Sequence, residues 1–79
     1  MTTSQITKIL TKAGFSKASY SRVNFETINH GDFEANKLNK FGLYCIVITP
    51  KNDKKPEDFQ SALKSFNTEI KNGYLVVKE

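Results

Sequence analysis

Gly-Leu-Tyr-Cys-Ile-Val-Ile-Thr, residues 42–49 and closed by Pro50, is the most continuously apolar stretch of the chain and the richest in β-branched and aromatic side chains. It reads as a strand. A short run bounded by Gly and Pro fits a central strand covered on at least one face by helix, because only burial removes Leu43, Ile46, Val47 and Ile48 from water. At about 3.3 Å per residue the strand is roughly 26 Å long. The segment from Pro56 to Asn72, read as a helix rising about 1.5 Å per residue, has the same length and is expected to lie along it.

Working outward, the helix reading after the strand rests on several signals. Lys51-Asn52-Asp53-Lys54-Lys55 is a charged loop, Pro56 suits a first turn, and Glu57 and Asp58 face the positive end of the dipole. Phe59, Ala62, Leu63, Phe66 and Ile70 form one apolar stripe, and Gly73 is read as the helix stop. Phe59, Leu63 and Phe66 are expected to pack on Ile46 and Ile48 or on Cys45 and Val47. Tyr74-Leu75-Val76-Val77 then reads as a last strand.

Upstream, Thr2 and Gln5 have capping-box spacing, and Ile6, Ile9, Leu10 and Ala13 repeat with the period of an amphipathic helix. Gly14 ends it, and Phe15 is placed to fold back on its last turn. Lys8 and Lys12 fall on its polar face. After a polar connection over residues 16–21, Val23, Phe25 and Thr27 alternate with Asn24 and Glu26 as in a half-buried strand. Asn29-His30-Gly31-Asp32 is turn chemistry, and Phe33 to Leu38 supplies the second arm of a hairpin. A second turn is placed at Asn39-Lys40. The sequence therefore predicts a single α+β domain over residues 1–79: a two-layer fold with an antiparallel three- to four-stranded sheet, two helices on one face, and the order α-β-β-β-α-β.

Seventy-nine residues with six Phe, three Tyr and no Trp give a small core with little surface left for an enclosed catalytic cleft. A lone cysteine makes no internal disulfide, and its place in the apolar strand predicts a buried thiol in a reducing compartment, which points to the cytoplasm. No leader-like segment follows Met1 and no apolar run reaches the roughly 20 residues of a membrane span.

The net charge of +4 is unevenly placed. Lys8, Lys12, Lys17 and Arg22 lie in the first 25 residues, which contain no Asp or Glu, whereas acids and bases balance from Glu26 onward. These four residues are the candidate binding site, for a nucleic acid or an acidic protein partner. No catalytic, metal or cofactor residue is assigned. His30 and Asp32 flank Gly31, but a nucleophile would have to be Cys45, and burial suppresses its thiolate. One Cys and one His lack the paired spacing of a zinc site, and the four glycines are scattered at element boundaries with no phosphate-binding loop among them.

The order helix, three strands, helix is similar to that of the double-stranded RNA-binding domain, with Lys54 and Lys55 where its second helix contacts phosphates. Pro56-Glu57-Asp58 departs from that pattern by putting acid at the contact, and the strand from Tyr74 has no place in that family. A leading helix ending in Ala13-Gly14-Phe15, a strand pair around Gly31-Asp32-Phe33, an apolar strand and a helix ending in Gly73-Tyr74 resemble small accessory proteins encoded by phages and prophages. Some of those bind or inhibit host factors. The resemblance implies a non-catalytic binding module acting on a macromolecular partner, a protein before a nucleic acid.

Overall fold

The computed structural model of the chain describes residues 1–40 and 43–78. Thr2 opens the first helix, α1 (Thr3–Lys12), as its spacing predicts. The Gln5 amide donates to Thr2 Oγ1 at 3.1 Å while the Thr2 amide donates to Gln5 Oε1 at 2.8 Å, so two orphan donors are satisfied together. Ile6 and Leu10 are buried and Lys8 and Lys12 exposed. Gly14, at φ +107°, turns the chain so that the Phe15 amide reaches the Leu10 carbonyl at 3.3 Å and the Phe15 ring stacks on Phe59 at 4.5 Å.

The remaining elements are β1 (Ser21–Arg22), β2 (Thr27–Asn29), β3 (Phe33–Lys40), β4 (Leu43–Pro50), α2 (Pro56–Ala62), β5 (Asn67–Lys71) and β6 (Tyr74–Lys78). The six strands form one sheet in the order β1-β2-β3-β4-β6-β5, and every neighbouring pair is antiparallel. The α+β class and the placement of both helices on one face agree with the sequence. The expected three or four strands become six, and the order becomes α-β-β-β-β-α-β-β.

The apolar strand occupies the middle of this sheet as β4, between β3 and β6. Its period of two sends Ile46 and Ile48 toward the helices, in register with Lys37 and Ala35 on β3 and with Val77 and Leu75 on β6. Ile6 and Leu10 of α1 and Phe59 of α2, with Leu63 just after it, complete one core with Phe33, Ala35, Ile46, Ile48, Leu75 and Val77. Cys45 therefore faces the opposite, uncovered side of the sheet and is only half-buried, which corrects the expectation of a core thiol. Gly42, read as the first residue of this strand, lies outside the described residues.

Four other expectations change. The second helix ends at Ala62 and does not run to Asn72, so it spans roughly 10 Å and does not match the strand. Asn67, Thr68 and Ile70 form β5 because Asn72 (φ +52°) and Gly73 (φ +82°) both take left-handed conformations, making a tight hairpin turn and not a helix stop. Ile70 remains on the helix-side face of that edge strand, opposite Leu75, but 40% exposed. Val23, Asn24 and Phe25 form no strand, since Asn24 Oδ1 accepts from the Glu26 and Thr27 amides at 2.8 and 2.9 Å and closes a local turn. Asn39 and Lys40 belong to β3 and not to the turn that the sequence predicts there.

Phe59 is fully buried and touches the rings of Phe15 and Phe33, whereas Phe66, in the turn after α2, is only partly buried. Phe59→Ala is expected to cost about 3 to 5 kcal/mol in urea unfolding and Phe66→Ala measurably less. Equal losses for the two would contradict this core.

Candidate functional site

The turn at residues 30–32 positions the site. His30 is buried, stacked on Phe33 at 4.3 Å, with the Tyr20 ring perpendicular to its own at 6.1 Å. Its Nδ1 accepts from the Asp32 amide at 3.3 Å. Thr11 Oγ1 donates to the Thr7 carbonyl at 2.8 Å, so its 3.3 Å contact with His30 Nε2 leaves the imidazole as the donor. Both ring nitrogens are thus used by a neutral imidazole with the hydrogen on Nε2.

Asp32 holds the connection between α1 and β1. Its Oδ2 accepts from the Ser16 amide at 2.7 Å, while Asn52 donates to the Gly31 carbonyl at 3.0 Å from the other side. A Cβ on Gly31 would stand 2.6 Å from the Ser16 carbonyl oxygen and 2.9 Å from the Ala18 nitrogen, so only glycine lets the two backbones approach this closely. The connection carrying Lys17 and Tyr20 is in this way fastened across the exposed side of α1.

Between them lies an open cleft of about 380 Å³. Lys8 and Lys12, one helical turn apart, stand on one wall and Lys17 and Tyr20 on the other, with Thr7 and Thr11 at the base. Lys17 lies over the Tyr20 ring at 5.2 Å. Among the described residues Lys8 and Lys12 have no ion-pair partner, and no carboxylate lines the cleft. Arg22, the fourth basic residue named from the sequence, stands beside the cleft and does not line it. Its guanidinium donates to Ser4 Oγ, which does line the cleft, and to the Phe25 carbonyl at 3.4 Å.

Arg22 also leads into the turn that the alternating pattern had disguised as a strand. The turn is tied to α1 by Thr3 Oγ1, which donates to the Glu26 carbonyl at 2.9 Å, and to its own base by the Val23 amide donating to the Thr27 carbonyl at 3.0 Å. Held there, Phe25 is 92% and Val23 62% exposed. Charge counting could not find Tyr20, Val23 and Phe25, because their placement depends on which residues leave the sheet.

The face of the sheet away from the helices carries Leu38, Cys45, Val47, Val76 and Tyr74 among polar neighbours. At its β5 edge Lys78 pairs with Glu69 at 2.6 Å and holds that exposed carboxyl below its usual range by hydrogen bond and charge. Among the described residues no three His, Cys, Asp or Glu side chains are placed to hold a metal ion, and no helix is long and apolar enough to cross a membrane.

Burial lowers the His30 pKa from its ordinary 6.5, helped by Lys17 and Lys51 and opposed by Asp32. The unfolded chain then binds the extra proton first, so this contribution to stability is complete above about pH 6.5 and is lost as the pH falls toward the depressed folded value. The urea midpoint is expected to fall between pH 7.5 and 5.5, and His30→Asn, which does not titrate, is expected to flatten that slope.

No protein-family model matches the chain, no curated protein matches it, and no solved structure matches it.

Proposed function

We propose that the protein is a non-catalytic binding module acting in the cytoplasm, and that its partner is another protein contacted by the exposed side of α1 and the adjoining turn. The observation that carries this reading is Phe25, 92% exposed on a turn fixed by Asn24 and fastened to α1. Burying an aromatic side chain of this kind in a partner contributes about 1.5 to 3 kcal/mol, and a turn already held in place loses little freedom on docking. Aromatic anchors buried at the centre of a contact are among the few positions that dominate binding energy.

Lys8, Lys12, Lys17 and Arg22 add the electrostatic complement, so the matching surface is acidic around an apolar pocket. The resemblance to small phage and prophage accessory proteins, some of which act on host factors, favours a host protein in that role. A second reading, nucleic-acid binding, draws on the same cations, three of which line one cleft.

Affinity capture from host lysate, with and without nuclease, tests both. Phe25→Ala is expected to abolish capture of the nuclease-resistant partner while leaving the urea midpoint unchanged, since the ring is almost wholly in water. If nucleic acid is the partner, capture disappears with nuclease. Duplex DNA affinity then falls against salt with a log–log slope of about −3.6 for four contacts, flattened by nearly two units in Lys8→Ala/Lys12→Ala.

A further inference from the structure

We propose that the cleft between α1 and residues 17–20 is a phosphoryl-binding site, accepting a phosphate monoester in the space bounded by Lys8, Lys12, Lys17 and Tyr20. This rests on the reading of the α1 side as the contact surface and names the chemistry its cleft takes.

The size and the charge agree. A cleft of about 380 Å³ is within the range that holds small organic ligands, and three lysines and no carboxylate are among the residues that line it. The nearest acid on the supporting turn, Asp32, has its Oδ2 engaged by the Ser16 amide at 2.7 Å and is buried. Mutual repulsion of the lysines is relieved by a doubly charged ligand more fully than by a single carboxylate.

The donor chemistry points the same way. Arg22 would offer the planar fork that suits a carboxylate, but its two terminal nitrogens are directed to Ser4 Oγ and the Phe25 carbonyl. What remains are lysine ammoniums, which are rotatable point donors approaching from both walls. The Ser4 hydroxyl accepts from Arg22 and keeps its own hydrogen available at the cleft. The Tyr20 hydroxyl has no partner among the described residues. Donors arriving from several directions match the tetrahedral oxygens of a phosphoryl group better than the two coplanar oxygens of a carboxylate. Thr7 and Thr11 spend their hydrogens on the Thr3 and Thr7 carbonyls, so the base of the cleft supplies shape and not donors.

Backbone-amide NMR titration at low ionic strength tests the site with O-phosphoserine and adenosine monophosphate, using serine and adenosine as uncharged controls. Saturable shifts are expected in α1 and residues 17–22 with a phosphorylated probe and not with its control. Lys8→Gln/Lys12→Gln, which changes only exposed side chains, is expected to weaken binding about tenfold or more through loss of charge-assisted hydrogen bonds. Tighter binding of O-phosphoserine identifies a modified side chain as the source, and tighter binding of the nucleotide identifies a nucleotide; either supports the site. Unsaturable shifts spread over distant lysines such as Lys64 and Lys71, or an unchanged affinity in the double variant, overturn it. Phe25→Ala is expected to leave the phosphoryl affinity unchanged, so loss of partner capture and loss of the phosphoryl site are separately observable.

Discussion

The Asp32 carboxylate, accepting from the Ser16 amide, is the contact on which the arrangement of the α1 side depends. Its Ser16 contact joins the packing of Tyr20 on His30 and the Arg22–Ser4 hydrogen bond in holding an otherwise polar connection against the helix. The same turn anchors three segments: His30 meets Thr11 of α1, Gly31 abuts Ser16 and Ala18, and the Asp32 carbonyl accepts from the Lys51 amide at 2.9 Å. A buried polar group of this kind is costly when unmatched and directional when satisfied, so one short turn fixes where Lys17 and Tyr20 stand.

Gly31 and Asp32 mark this turn in the sequence, but nothing local marks its depth. His30 and Asp32 look like exposed turn chemistry until Tyr20 and Phe33 close over the imidazole. The charge pattern was more informative, since Lys8 and Lys12 could be assigned to one helix face from spacing alone. That Lys17 joins them depends on the backbone approach at Gly31, a long-range contact with no local signature.

The fold was legible where a local rule had no competitor. The Thr2 cap, the Gly14 stop and the apolar run that forms β4 each rest on a few adjacent residues, and each appears as read. Asn72-Gly73 is where two rules competed, because Gly after an apolar helical stripe and Asn-Gly between strands are both strong signals. The stripe from Phe59 to Ile70 favoured the helix. Asn67 and Thr68 are poor helix formers, and pairing of β5 with β6 outweighed the periodicity. At Val23 to Thr27 the opposite happened: alternation suggested a strand, and the side chain of Asn24 captured the amides that a sheet would have used.

The strand order carries a kinetic consequence. The pairs β2–β3, β3–β4 and β5–β6 join neighbours in the chain, so their contacts are local. The β4–β6 pairing is different: it aligns Ile48 with Leu75 and Cys45 with Lys78, across the whole of α2 and β5. The loop entropy of that closure is met before the Ile46–Val77 contact returns anything. Of the strand pairings, β4 with β6 therefore closes the longest loop, and until it is made the apolar edge of β4 stands open to any other strand.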